Sequence, residues 1–553
     1  MRNKGLKRWL GVAAAAVVSL TALTYAVRND FGLGRNMELL VNMMRELSVS
    51  YVDEVDADRL MTDAAAGMVR RLDPYTEYIP EQEMSEFEVL TTGKYGGVGA
   101  LIRQKKEYVI IAQPYEGSPS DRAGLKIGDK ILAIGGEDAK GFTTEQVSSR
   151  LKGDPNTTVT VKVEQLDGTV REVTITRERI AIPGVPYAGW VAEGIGYVRH
   201  SDFTEGCYQE LRNAIEGLRK EGSLQGLVLD YRSNGGGMLQ EAIKILGMFI
   251  PRDTEVVYTK GRKDTRHYRT STDPVFKELP LVVLVNGSSA SAAEIVSGSL
   301  QDLDRAVLIG QRTFGKGLVQ TTVPIGYNAM VKLTTAKYYI PSGRCIQAID
   351  YSHSQEGKVR TVPDSLIREY TTRAGRKVYD GGGIMPDIRT EPEYISRFAA
   401  TLYGLGFIED FGDDYIRRNG YQPLDVKNFA ITEQDFADFK AFMKEKEVPY
   451  ESETRSALKL IKEAAKNDRF KEMEQQIETL EAALKDDTET NIETYRKEIA
   501  ESITSDIVLR HAYTAGVIEN SLREDREVAR AIEVLRDTAT YHRILREQDT
   551  ARK

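Results

Sequence analysis

The sequence predicts a multidomain α/β protein, on three observations. Strand-like and helical segments alternate between about residues 180 and 310, a glycine-punctuated β-rich stretch precedes them, and a charge-rich helical stretch follows residue 390. A chain of 553 residues has room for roughly three or four domains. Hydrophobic residues make up 41% and charged residues 29%, which excludes a wholly disordered chain and a multi-span membrane protein. The formal charge of −8 gives no general reason to expect nucleic-acid binding. Two cysteines, Cys207 and Cys345, cannot build a zinc knuckle, and the five histidines include no H-E-x-x-H.

At the start, Arg2, Lys4, Lys7 and Arg8 precede an uncharged, Ala-rich run over residues 9–27, with no acid before Asp30. This is the form of a secretory signal, for which Thr24-Tyr25-Ala26 is a passable cleavage site, or of an N-terminal membrane anchor; a buried core helix is the competing reading. Residues 1–30 are therefore expected to export the rest, and low cysteine usage suits a bacterial envelope: the periplasm or the periplasmic face of the inner membrane. Residues 36–92 read as helical, with Leu39, Leu40, Met43, Met44 and Leu47 at helical spacing, until Asp73-Pro74-Tyr75 interrupts.

Residues 93–178 carry strands at 109–111, 130–134 and 157–163 and a short helix at 144–151. Residues 179–390 alternate buried strands (194–198, 226–231, 281–285, 306–309) with helices (205–219, 239–249, 290–300). Residues 391–553 are helical. Phe470, Met473, Ile477, Leu480 and Leu484 step by three and four, which reads either as a helix packing on its own domain or as a short coiled-coil seam.

Three loops could carry chemistry. Asn286-Gly287-Ser288-Ser289-Ala290-Ser291-Ala292-Ala293-Glu294 follows a strand and opens a helix, where a serine projects its hydroxyl beside the helix's first amides. Ser291-x-x-Glu294 is equally a capping box. In Phe314-Gly315-Lys316-Gly317-Leu318, a lysine between glycines can approach another backbone and lose solvent, which lowers its pKa and makes it a usable base; an ordinary surface lysine is the alternative. If the chain is extended here, Gln320 shares the face of Lys316, where its amide can orient the amine. Asp230-Tyr231-Arg232-Ser233-Asn234-Gly235-Gly236-Gly237 ends a strand in glycines whose amides can approach a ligand; a phosphate cradle is disfavoured because no G-K-[ST] follows. A fourth loop, Tyr95-Gly96-Gly97-Val98-Gly99-Ala100, offers successive amides beside a strand edge, a combination able to hold a carboxylate and pair with an added peptide strand.

With Gly117-Ser118-Pro119 and Lys126-Ile127-Gly128-Asp129-Lys130, this last segment resembles a PDZ domain of the kind found in bacterial proteases. The resemblance implies that Gly97, Val98, Gly99 and Ala100 bind the carboxylate of a free C-terminus, and that the helix around Val147 and Leu151 lines the groove. The ordered set of motifs to about Asp387 resembles the carboxyl-terminal processing peptidases, Ser/Lys proteases with an embedded PDZ domain and a ClpP/crotonase-like core. Their pattern makes Ser291 the nucleophile, Lys316 the general base and Gln320 the orienting residue. The amides of Ala292 and one of Gly235 to Gly237, with Gly236 preferred, become the oxyanion donors. Asp302, where some members carry an aspartate proposed to assist, is read as structural. Cys345 follows Pro341-Ser342-Gly343-Arg344 where a serine is common.

The implied reaction is acyl transfer with no metal or cofactor, on protein or peptide substrates with free C-termini. Two Ser-x-x-Lys strings, at Ser149 and Lys152 and at Ser456 and Lys459, lack the S-D-N and K-T-G that would support a penicillin-binding reading. The alternative from another class is a non-catalytic PDZ-type peptide-binding scaffold or chaperone. The C-terminal helices could form a homo-oligomer, dock an adaptor or cover the site.

Overall fold

Strands that are apolar on both faces need cover on both sides, and the main sheet is built that way. The computed structural model describes residues 32–350, 360–361, 367–468, 471–484 and 487–546. The expected signal or anchor segment and Phe470 lie outside the described residues. Among those described, no helix is long and apolar enough to cross a membrane. One compact unit takes in the residues up to Met84 together with Gln320–Thr334; the other takes in Ser85–Val319 and the residues from Thr335 onward.

In the larger unit the main sheet runs Tyr187–Ala192, Ile195–Arg199, Gly226–Asp230, Leu281–Val285, Val307–Gly310 and Ile388–Arg389. The first pair is antiparallel and all later pairs are parallel. Leu227, Leu229, Leu281, Val283, Val285 and Leu308 face a core shared with the helices Cys207–Glu221, Leu239–Leu246 and Ala292–Asp302. Val228, Val282, Leu284, Val307 and Ile309 face the opposite way, against Val528, Ala531, Val534, Tyr541 and Leu545. The chain's last described helices, Arg526–Arg536 and Thr538–Ile544, thus form the third layer of the main sheet. Of the roles the sequence allowed the C-terminal helices, this structural one was not among them, because an amphipathic stripe does not say what it packs against.

A second sheet orders Ala100–Lys105, Tyr108–Pro114, Lys130–Ile134, Thr158–Glu164 and Val170–Thr176, antiparallel throughout. Its core holds Val109, Ile111, Ile131, Val161 and Val163, with the helix Thr144–Leu151. The remaining C-terminal helices have their own aromatic core around Phe398, Phe411, Phe436 and Phe439. They also meet this second sheet, where Lys105 pairs with Asp410 at 2.6 Å and Asp413 at 2.8 Å. Of the heptad-like positions, Ile477 is buried with Leu458 and Ala465, while Met473 and Leu480 are exposed. The helix Glu474–Ala483 therefore packs on its own domain.

In the smaller unit a helix over residues 32–50 precedes Ala57–Val69, which Asp56 caps by accepting the Asp58 and Arg59 amides. Asp73 accepts the amides of Tyr75 (2.8 Å) and Thr76 (2.9 Å), turning the chain into the strand Glu77–Ile79. That strand pairs antiparallel with Met330, Val331 and Lys332.

Candidate active site

The carboxyl ends of Gly226–Asp230, Leu281–Val285 and Val307–Gly310 each release one of the three loops singled out by the sequence. Ser291 stands directly before the helix Ala292–Asp302 with φ +55° and ψ −115°. An ordinary N-cap residue is extended, so a serine at positive φ carries about 1–3 kcal/mol of strain and persists only where its surroundings hold it. They do so on every side. The Ser291 amide donates to Glu294 Oε2 at 2.9 Å, and the Ser291 carbonyl accepts the Ile295 amide at 2.9 Å. The Ala290 amide donates to the Asn234 carbonyl at 2.9 Å. Neighbouring Ser289 is committed elsewhere, its hydroxyl donating to the Tyr231 carbonyl at 2.8 Å.

Glu294 is more than the second half of a capping box. Its buried carboxylate takes the Ser291 and Lys316 amides on Oε2, both at 2.9 Å. On Oε1 it takes the Gly315 amide at 2.7 Å and the Thr313 hydroxyl. Burial pushes its pKa up to about 7, opposed by those donors. On the other side, the Tyr338 hydroxyl lies 3.2 Å from the Ser291 carbonyl and also bonds the Lys316 carbonyl. One carboxylate and one phenol therefore clasp the backbones of Ser291 and Lys316 together. The glycines around the lysine allow this approach. At Gly315 (φ +85°) a Cβ would stand 2.4 Å from Ala348 Cβ. Neither Glu294 nor Tyr338 carried a recognisable signal for this role, since the Lys316 amide that Glu294 accepts and the Lys316 carbonyl to which Tyr338 donates each lie 22 residues away in sequence.

The glycine loop closes against the serine. A Cβ at Gly236 (φ +97°) would lie 2.7 Å from Ser291 Cβ and 2.8 Å from the Ala292 nitrogen. The Gly236 amide donates to Asn234 Oδ1 at 2.8 Å, and Asn234 Nδ2 donates to the His200 carbonyl at 2.7 Å. Gly235 is exposed. Gln320 belongs to the smaller unit, where its side-chain amide donates to Thr334 Oγ1 at 3.3 Å.

Asp302 is fully buried against Arg344 at 2.8 Å and accepts the Ser342 amide at 3.0 Å. It braces the Pro341–Arg344 turn. Both cysteines are free. In the second sheet, Gly99 (φ +79°) presents its carbonyl to the hydroxyls of Ser118 (2.8 Å) and Ser120 (2.7 Å), which fixes the turn between buried Val98 and the strand beginning at Ala100. Gly97 ends a strand paired with Glu178–Ala181. Val147 and Leu151 are both buried in that domain's core.

Three family models match parts of this chain. The model of peptidase family S41 matches residues 194–353, a PDZ domain model matches 110–165, and "Probable PDZ-protease, C-terminal helical domain" matches 398–535. The carboxy-terminal-processing protease of Bartonella bacilliformis is 33% identical over 345 residues, 61% of this chain and 79% of the relative. A probable CtpA-like serine protease of Staphylococcus aureus is 33% identical over 356 residues, 62% of this chain and 71% of the relative. Among solved structures, the photosystem II D1 C-terminal processing protease aligns at 26% identity over 65% of this chain and 94% of its own, with a TM-score of 0.35. The chain is a serine-type protease, and it belongs to peptidase family S41, the carboxyl-terminal processing peptidases with an embedded PDZ domain.

Proposed function

We propose that this protease is a serine endopeptidase of the cell envelope that takes free C-termini of protein substrates in its PDZ domain and cleaves by a Ser/Lys mechanism. Neutral Lys316 removes the Ser291 proton, the alkoxide attacks a peptide carbonyl, and lysine then protonates the leaving amine before water releases the acyl group. Gln320 orients the lysine. The Ala292 and Gly236 amides receive the oxyanion, for which Gly236 exchanges Asn234 Oδ1 for the substrate oxygen. The observation that supports this most is the shared clasp: Ser291 and Lys316 are both tied by their amides to Glu294 Oε2. The Gly97–Ala100 turn, locked through the Gly99 carbonyl, is the carboxylate loop. The corresponding division is 36–92, 93–178, 179–390 and 391–553, following an export segment at 1–30.

Cleavage of an unfolded protein by wild type, Ser291→Ala and Lys316→Ala tests the dyad. The two variants are expected to be inactive, and equal cleavage by all three proteins returns the chain to a peptide-holding scaffold. Loss of Ser291→Ala binding on amidation of the substrate C-terminus supports the carboxylate loop, and unchanged binding removes it.

A further inference from the structure

The turn that carries Gly236 begins with an arginine whose partners are an aspartate two residues before it and two acids nearly 300 residues after it. Asp230, fully buried at the strand end, accepts the Tyr197 hydroxyl at 2.7 Å and Arg199 at 2.9 Å. It also accepts the Arg232 amide at 2.8 Å and the Arg232 guanidinium at 2.6 Å. The same guanidinium, mostly withdrawn from solvent, reaches Asp525 Oδ2 at 2.6 Å and Glu527 Oε2 at 2.9 Å. Neither acid is spent on this contact alone. Asp525 Oδ1 caps the Arg526–Arg536 helix by accepting the Glu527 and Val528 amides, both at 2.9 Å. Glu527 Oε1 accepts Gln311 Nε2 at 2.6 Å and the Thr390 hydroxyl. Gln311 follows the strand Val307–Gly310, so one carboxylate joins Arg232 to that strand end and to Thr390.

From Arg232 the contacts lead into the site. Ser233, a non-glycine residue at φ +58°, donates its amide to Asn286 Oδ1 at 2.8 Å. Asn234 holds both the Gly236 amide and, through its carbonyl, the Ala290 amide. Docking of the helix itself does not require the acids, because Val528, Ala531 and Val534 already bury its apolar face. Desolvated ion pairs add little net stability compared with apolar packing, whereas a planar guanidinium forked between carboxylates fixes orientation.

We propose that Asp525 and Glu527 are positioning residues of the protease: through Arg232 the C-terminal helical region sets the Ser233–Gly236 turn against Ser291. The inference rests on the reading of that turn as the oxyanion loop. The acids touch no substrate; they fix the frame on which the Gly236 amide is carried.

The test uses the full chain and reduced, carboxymethylated α-lactalbumin as an unfolded substrate. kcat, KM and Tm are measured for Asp525→Asn/Glu527→Gln, Arg232→Gln, the triple variant, Val534→Ala and Ser291→Ala. Displacements of about an ångström far from the chemistry cost up to about 100-fold, so the acid pair is expected to lose about 10- to 100-fold in kcat, with KM within about threefold. Added to Arg232→Gln, the same changes should cost less than about twofold more, since the arginine is their route to the site. Val534→Ala should lower Tm and leave kcat within about twofold. If the acid pair does not fold, Glu527→Gln alone, which leaves the helix cap intact, carries the same expectation. Wild-type kcat in the acid variants, or full multiplication of losses in the triple variant, overturns the proposal. A Ser291→Ala protein as active as wild type overturns instead the reading on which it rests.

Discussion

Replacing Glu294 by glutamine keeps size and removes one acceptor oxygen. Four donors converge on the native carboxylate, two on each oxygen: Ser291 and Lys316 amides on one, Gly315 amide and Thr313 hydroxyl on the other. Glutamine can satisfy only one pair, and its NH2 then faces two more donors. Leaving a buried donor unsatisfied costs about 1–3 kcal/mol, so the substitution costs about 2–6 kcal/mol at the clasp. The strained Ser291 backbone loses the hold that maintains it, and even the lower figure corresponds to about 30-fold in rate. Glu294→Gln should therefore cut kcat at least about 30-fold and leave KM within about threefold.

A pH scan supplies a second readout with opposite signs. The folded-state pKa of about 7 lies above the ordinary 4.5. Folding thus favours the protonated acid: its stabilising contribution is complete below pH 4.5 and is lost as pH rises to about 7, by about 3 kcal/mol. The ionised form alone accepts all four donors, so activity should climb through the upper end of the interval in which Tm declines. In Glu294→Gln this part of the Tm profile should flatten. A variant with wild-type kcat refutes the clasp.

Three further outcomes follow from the packing. Gly236→Ala places a methyl 2.7 Å from Ser291 Cβ at φ +97°, and steady-state kinetics should show a loss of about 100-fold or more in kcat. Asp302→Asn breaks the buried pair with Arg344, so thermal unfolding should reveal a loss of about 3–5 kcal/mol. The folded fraction should keep kcat within about threefold; a collapse of kcat at unchanged Tm would make Asp302 part of the chemistry. Removing residues 525–553 uncovers Val228, Val282, Leu284, Val307 and Ile309, and dye binding with circular dichroism should report a loosened, aggregating chain. A soluble, fully active truncate would contradict that layering.

Legibility in the sequence followed locality. Leu281–Val285 and Lys130–Ile134 were readable to the residue, because an apolar run bounded by turn residues needs no distant information. Ser291 and Lys316 stood out by their loops, and the glycines flanking Lys316 announced a close approach. Glu294 was visible only as a cap partner, and Tyr338 was invisible, since their partners are set by tertiary structure. The hairpin Leu318–Gly326 and Ala329–Tyr339 was considered only as a conditional extended stretch over residues 316–320: its exposed and half-buried positions follow no regular alternation. Asp525 and Glu527 were not singled out in the sequence, since their partner Arg232 lies nearly 300 residues away.

A layer supplied by the final helices has a bearing on biogenesis. While the ribosome is still extending the chain past residue 390, the parallel strands exist but one of their faces is bare. At roughly 5–20 residues per second, that interval lasts many seconds. Proteolytic competence would arrive only once the helices after Asp525 have been made and docked. Arrested chains ending before Asp525 should stay susceptible to added trypsin, and resistance in such chains would show that the sheet ripens without its closing layer.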